Sequence, residues 1–331
     1  MPTPPVSGSD TLARVAAFIK RFVSLGESQT VSVALWVAHT HVLDAAETTP
    51  YLNISSAEKQ CGKTLLLEVL SLLVAKPWLT GSASRAVLVR KIDAQQPTLL
   101  LDESDAAFAS DREYAEALRG VLNSGHSRDG VASLCVGQGT NITFKDFRVF
   151  CPKAIAGIGK LPDTVADRSI PIRMKRRAPG EKVERFRRRN YSVESSKITK
   201  QLAEWLTPKL GTLKAASPEM PELMSDRQQD GCEPLLAIAD LAGKEWPSRA
   251  RTALVEVLSG EAAQDNSIGI RLLSDIREVF RQSTIERIFT IDLVAGLCGY
   301  SGESEHRFRR EAERHSGAKV NSSRSAATLT W

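Results

Sequence analysis

Between a short β-type run, Tyr51–Ser55, and an apolar helical stretch lies Ala57-Glu58-Lys59-Gln60-Cys61-Gly62-Lys63-Thr64. In a loop of this kind the backbone N–H groups, from Ala57 through Leu65 at the helix start, can wrap a chain of phosphates. The dipole of the helix they open favours the negative charge. Lys63 would reach the outer phosphates, and the Thr64 hydroxyl would hold Mg²⁺. Downstream, Thr98-Leu99-Leu100-Leu101-Asp102-Glu103 reads as a buried strand ending in two acids. A metal-orienting Asp102 and a water-activating Glu103 belong at such a strand end. Either string alone is weak; in this order they imply binding and hydrolysis of ATP with Mg²⁺.

Some details depart from the usual loop. Ala57 stands where glycine is common, a position that asks for a small residue, and Gln60-Cys61 is bulky for a loop interior. Cys61 lies near a helix N-terminus and Lys63, both of which lower a thiol pKa; a space-filling role is the alternative. Asp105 extends the acids to Asp-Glu-Ser-Asp, a superficial helicase likeness without companion motifs, and reads as a solvated loop carboxylate.

Further along, Asp167-Arg168 stands at the mouth of the last β-run, Ser169–Met174. An arginine there can project into a neighbouring subunit's nucleotide and stabilise charge on the transferring phosphoryl group, which would make activity depend on an oligomer. The ordinary reading is a strand-capping arginine held by Asp167. From Arg168 to Arg189 there are ten Lys/Arg against two acids, Glu181 and Glu184. Arg185, Arg187 and Arg188 in that run could track nucleic-acid phosphates, or form a solvated helix face.

The elements that must position these groups follow from periodicity. Residues 11–46 read as two helices, Leu12–Leu25 and Val31–Ala46. Residues 51–174 alternate β runs (51–55, 78–79, 98–101, 154–158, 169–174) with helices (63–74, 84–92, 112–123), the pattern of a parallel sheet covered on both faces. Val131–Val149 breaks the alternation and reads as a β-hairpin around Gly137–Asn141. The expected organisation is a disordered lead at 1–10, an α/β core at 11–180, a helical lid-like region at 181–265 and a small C-terminal domain at 266–331. A linker is expected near 215–221, and in the tail a helix at 270–282, further helical pieces and a β-prone end. The tail arginines Arg307, Arg309 and Arg310 suggest a winged-helix-like DNA contact or a solvated helix.

Composition narrows the class. With 331 residues and 42% apolar content the chain can bury a large core, and its +5 charge is compatible with a polyanionic partner. Aromatics at 6% argue against a stacking platform for single strands. Five scattered cysteines without metal spacing read as reduced thiols in the cytoplasm. Leu65–Val74, the most apolar stretch, is interrupted by Glu68 and too short to span a bilayer. His39 and His41, two apart on a helix, point different ways and cannot share a metal; helix packing or contacts on the adenine side remain for them. His126 reads as a turn or subunit-contact residue.

Several strings together resemble a family of P-loop ATPases of phages and plasmids, mostly actinobacterial, catalogued as a domain of unknown function and often fused to primase modules. The resemblance runs over residues 15–280 and rests on Leu35-Trp-Val-Ala-His-Thr-His41, Ser56–Thr64, Pro97–Glu103, Leu118–His126, Ala154–Gly159, Leu161–Ser169, Arg173–Lys182 and Glu233–Asp240. That family is similar in turn to superfamily 3 and primase-linked AAA+ helicases. The resemblance implies a P-loop NTPase core, a homo-oligomer, in particular a hexamer, and DNA drawn through a central pore. It makes Val131–Val149 a pore hairpin, with Lys145 and then Arg148 as phosphate contacts; an inert sheet extension is the alternative. The sequence departs from the pattern at Gln60, where the family carries glycine. It departs again after the fourth β-run, where Ala156-Gly157-Ile158-Gly159 lacks the polar γ-phosphate sensor; Asn123 or Thr164 are the substitutes. The tail beyond Glu286 matches poorly, and the chain begins almost at its first helix, implying a free-standing domain.

The expectation is thus an ATP-driven DNA helicase or translocase in the replication of a phage or plasmid element, working in the cytoplasm with DNA, with copies of itself and with primase or other replication proteins. The alternatives are a nucleotide-switched DNA-binding, loader or regulatory ATPase that unwinds nothing, and a nucleotide-binding protein with little turnover.

Overall fold

The structure, a computed structural model, describes residues 7–56, 60–81, 83–102, 112–138, 141–158, 161–177 and 180–265, with short pieces at 276–277, 280, 287–289 and 328–330. In chain order the first elements are α1 (Gly8–Phe22), α2 (Glu27–Thr40), β1 (Tyr51–Ser56), α3 (Lys63–Leu70), β2 (Pro77–Thr80), α4 (Arg85–Gln95) and β3 (Thr98–Leu101). Then come α5 (Arg112–Ser124), β4 (Val131–Gln138), β5 (Asn141–Arg148), β6 (Lys153–Ile158), α6 (Asp163–Ala166) and β7 (Ser169–Arg173). Helices α7 (Arg188–Leu206), α8 (Leu210–Lys214), α9 (Asp226–Ala242) and α10 (Trp246–Asp265) follow.

Five of the strands form one parallel sheet in the order β2-β3-β6-β1-β7. Parallel strands buried on both faces read as unbroken apolar runs, and Thr98-Leu99-Leu100-Leu101 is buried at every position. Successive side chains still part to opposite faces. Leu52, Ile54, Leu100, Ala154, Ile170 and Ile172 enter the core shared with α1, α2, α3, α7, α9 and α10. Tyr51, Leu99, Leu101 and Ile155 enter the core shared with α4, α5 and α6. The result is a helix–sheet–helix sandwich, as expected for an α/β chain.

Helix ends differ from the sequence reading for local reasons. α1 starts at Gly8, inside the expected disordered lead, because the Ser7 hydroxyl accepts the Asp10 N–H at 3.3 Å and caps it. Leu12, Val15, Ile19 and Phe22 then give it a buried stripe. α2 ends at Thr40, and Leu43–Ala45 forms a separate 3₁₀ turn. α3 ends at Leu70, where Leu72 and Leu73 switch to hydrogen bonds three residues back. Pro234 inside α9 removes the N–H that would serve the Asp230 carbonyl; the Thr48 hydroxyl donates to that carbonyl instead, at 2.5 Å.

Among the described residues a cation lies within the fold. Lys153, fully buried at the start of β6, donates to the carbonyls of Gly125 (3.0 Å), Val149 (3.1 Å) and Cys151 (2.9 Å), with the Tyr51 hydroxyl at 3.4 Å. Desolvation pulls its pKa below the ordinary lysine range.

β4 and β5 pair as the expected antiparallel hairpin, apart from the sheet. The chain divides into two compact units, 1–261 and 262–331. Helices α7, α9 and α10 share the core of the first unit, so no division of the packing falls at residue 180. In the second unit Arg287–Phe289 pairs antiparallel with Thr328–Thr330. The expected tail helices beyond 290 and Arg307, Arg309 and Arg310 lie outside the described residues. Among the described residues no helix is long and apolar enough to cross a membrane.

Candidate functional site

All five sheet strands run the same way, so their C-terminal ends share one edge, where ligands of open α/β sheets bind. β1 ends there at Ser56, and the chain re-enters helix at Lys63. Gly62 makes that entry possible: it caps α3 with φ +86, a left-handed conformation that costs a side-chain-bearing residue strain. The first intrahelical bond runs from the Leu66 N–H to the Gly62 carbonyl, 2.9 Å, so the N–H groups of Lys63, Thr64 and Leu65 stand outside the ladder at the helix mouth. The half-buried Lys63 ammonium folds back over the turn and donates to Ser56 Oγ at 2.6 Å. Thr64 is exposed at the same mouth.

Asp102 leaves the end of β3 on the same edge, its N–H donating to the Thr80 carbonyl of β2 at 2.9 Å. β6 alone separates β3 from β1, so Asp102 lies two strand spacings, roughly 10 Å, from the turn. A triphosphate with a metal can bridge such a gap. Ala57, Glu58, Lys59, Glu103 and Asp105 lie outside the described residues.

Gln60 also adopts a left-handed backbone, φ +63. That accounts physically for the glycine expected there by resemblance. Cys61 is half-buried and packs against the core of α1–α3, the space-filling role. Two neighbours of the turn were not picked out from sequence. Met174 Cε lies 3.5 Å from where a Cβ on Gly62 would stand. Arg176 Nη2 donates to Gln60 Oε1 at 3.2 Å. The sequence signals for them were the density of basic residues after β7 and the place of both within the Arg173–Lys182 string.

Arg168 is elsewhere. It precedes β7, and its carbonyl accepts the N–H of Tyr51, the first residue of β1, at 3.0 Å. It therefore lies at the sheet edge opposite Lys63. Its guanidinium donates to the Thr164 carbonyl and, from Nε, to His126 Nε2 at 3.3 Å. The expected Asp167 partner is taken by Arg227, 2.8 Å away. His126 is the turn residue expected, its Nδ1 2.9 Å from the Asn123 carbonyl. Burial, then the Arg168 charge, pull its pKa below the ordinary range.

Asn123 sits at this same far edge, next to Leu122, whose carbonyl accepts the Tyr51 hydroxyl at 2.8 Å. It cannot sense a phosphate at Lys63, and Thr164 faces Arg168. His39 and His41 take up the helix-packing role. His39 Nε2 meets Thr49 Oγ1 at 2.9 Å just before β1, and His41 Nε2 meets the Leu73 carbonyl at 2.8 Å beyond the end of α3.

The basic candidates do not form one face. In the hairpin, Lys145 opposes Leu134 and Arg148 opposes Val131. With a period of two, residues three apart point to opposite sides. The Lys145 ammonium lies 5.1 Å from the Phe147 ring centre, and the Arg148 N–H donates to Asp93 Oδ1 at 2.9 Å. The side of the hairpin that carries Arg148 also exposes Ile142 (64%) and Phe144 (79%). Arg185 and Arg187 are exposed just before α7, whereas Arg188 donates to Ser71 Oγ at the C-terminal end of α3, 2.9 Å, where a helix dipole favours a cation.

A family model described as Protein of unknown function (DUF3631) matches residues 173–313. That range takes in Arg176, the arginine-rich segment and helices α7–α10, but neither Lys63 nor Asp102. It continues past Glu286, into the tail expected to match poorly. The chain is also similar to the "Uncharacterized 28.9 kDa protein in xis 5'region" of Saccharopolyspora erythraea, 44% identical over 108 residues, which make up 32% of this chain and 40% of that protein. The chain thus spans about two fifths of that relative's length.

Proposed function

We propose that this chain is a P-loop ATPase that uses ATP with Mg²⁺ to act on DNA, as a hexameric helicase or translocase of a mobile element. The observation that carries the proposal is the Ser56–Thr64 passage: a parallel strand, a left-handed glycine, then a lysine at the mouth of a helix. Asp102 ends a strand on the same edge, with one strand between, which suits a metal held on the far side of a bound triphosphate. The name of the Saccharopolyspora relative, which sets it in an xis 5' region, supports the mobile-element setting.

A second reading is favoured by one feature. β6 ends in Ala156-Gly157-Ile158, with no polar side chain to read a γ-phosphate. A nucleotide-binding protein with little turnover has less need of that sensor; a nucleotide-switched loader or regulatory ATPase, binding DNA without unwinding it, is the alternative that keeps hydrolysis.

DNA-stimulated ATP hydrolysis and strand displacement, measured for wild type and Glu103→Gln, separate the readings. Stimulation with displacement supports the motor, and stimulation without displacement supports the switch. Loss of hydrolysis with retained ATP binding in Glu103→Gln identifies the water-activating acid. A folded wild-type protein with no affinity for ATP and Mg²⁺ defeats both readings.

A further inference from the structure

The turn between β1 and α3 has different chemistry on its two flanks. On one side, past β6, stands Asp102. On the other side is β7, and the chain leaving β7 does not turn away from the site. The Met174 N–H donates to the Ser55 carbonyl at 2.8 Å, carrying the β7 track alongside the end of β1. The Arg173 carbonyl is held by Gln29 Nε2 of α2 at 2.9 Å. This anchored exit brings Arg176 onto the turn, with Nη2 3.2 Å from Gln60 Oε1.

We infer that Arg176 is a phosphate-contacting residue of its own chain's nucleotide site, gripping the outer phosphates from the β7 side while Asp102 serves the metal from the β3 side. The inference rests on the nucleotide reading of the Lys63 turn and adds to it the group that tells a triphosphate from a diphosphate. Guanidinium chemistry fits this task. Its five N–H donors lie in a rigid plane, so one edge can keep Gln60 while another meets phosphate oxygens. A triphosphate carries more charge than one Mg²⁺ neutralises, and Lys63 supplies a single point charge. A second cation therefore strengthens binding most where the terminal phosphate adds its oxygens.

The arrangement also gives Gln60 a purpose. A left-handed glutamine is strained where a glycine would not be, but a glycine has no side chain with which to hold Arg176 in place. Exchanging the glycine for glutamine places an acceptor 3.2 Å from the guanidinium.

The test is the affinity of the full chain for ATPγS and for ADP, each with Mg²⁺, in wild type, Arg176→Ala, Arg177→Ala and Gln60→Ala. Arg176→Ala should weaken ATPγS about tenfold or more and ADP less than about threefold, as expected for a lost charge-assisted contact to one phosphate. Arg177→Ala makes the same charge change one residue on, and should leave the ratio of the two affinities unchanged. Equal weakening of both nucleotides in Arg176→Ala, or no weakening, overturns the assignment. Gln60→Ala releases the guanidinium from its anchor and should shift the ratio of the two affinities in the same direction, by no more than Arg176→Ala does; a larger shift also overturns the assignment, because the shape of the turn and not the guanidinium would then set the preference. Wild-type protein that binds neither nucleotide refutes the underlying nucleotide reading instead, a different result from any of these.

Discussion

Lys63 follows the C-terminal end of β1, whereas Arg168 is joined to its beginning, with the Arg168 carbonyl 3.0 Å from the N–H of Tyr51. The six residues of β1 put roughly 17 Å between those ends at about 3.3 Å per residue. No arginine side chain closes that gap, so Arg168 cannot reach a phosphate held by its own Lys63. If it stabilises a transferring phosphoryl group, it does so in a second copy of the chain.

Mixing two inactive variants tests this directly. Lys63→Ala and Arg168→Ala should each lower ATP turnover by about 100-fold or more. Combined, they should regain measurable turnover, because some interfaces then pair an intact Lys63 with an intact Arg168. Arg168→Ala alone should still bind nucleotide. A mixture no more active than its components leaves Arg168 as a brace for Thr164 and His126.

Much of this layout could be read from the chain before any coordinates. The β runs at 98 and 154 were plain because buried parallel strands leave almost no polar residue in the run, the run at 51 because it leads into the Gly62-Lys63 string, and the hairpin from Gly137 and its β-favouring flanks. Helix ends were less legible. α2 stops at Thr40 although apolar residues continue, because the last of them, Leu43–Ala45, are tightened into a 3₁₀ turn. The site was half legible. Lys63 and Asp102 belong to contiguous strings with a mechanical meaning, but Arg176 reaches the turn only because β7 lies beside β1, a neighbour relation set by sheet order. Strand direction, not strand order, removed Asn123 from the site. A polar residue near a strand looks like a sensor until it is known which end of the strand it faces.

Two residues of the turn have left-handed backbones, Gln60 and Gly62, and they should respond oppositely to substitution. At Gly62 there is room for a methyl, since Met174 Cε would be 3.5 Å from it. The penalty in Gly62→Ala is therefore conformational, about 1–2 kcal/mol of stability. Gln60→Gly should relieve a similar strain, offset by the greater freedom of glycine in the unfolded chain, for a net gain of about 0.5 kcal/mol. Urea unfolding of the two variants measures both. A Gly62→Ala protein as stable as wild type would mean the turn relaxes out of the left-handed region.

Lys153 should matter for folding and not for nucleotide. Its ammonium serves three backbone carbonyls that no solvent reaches through it. Lys153→Met keeps most of the volume but leaves those acceptors without their donor, which should cost about 2 kcal/mol or more. Because it begins β6, at the edge away from Lys63, nucleotide affinity of the folded variant should match wild type. Weaker binding with unchanged stability would contradict this division of roles.

His39 makes the clearest pH prediction. It is fully buried, with Nε2 on Thr49 and no hydrogen-bond partner for Nδ1 among the described residues. Desolvation lowers its pKa from 6.5 to about 4. The folded state therefore resists the proton that the unfolded chain accepts. Above pH 6.5 the residue is neutral in both states and contributes no slope; as pH falls from 6.5 towards 4 the unfolded chain is favoured, and below 4 the loss levels off. The full loss is about 3 kcal/mol. His41 and His126 are shifted in the same direction, so the measurement is the difference in unfolding free energy between wild type and His39→Leu at a series of pH values. That difference should change by about 3 kcal/mol between pH 7 and pH 4, against the wild type. A difference that stays constant across the range would show that the imidazole takes up its proton as readily in the folded protein as in the unfolded chain.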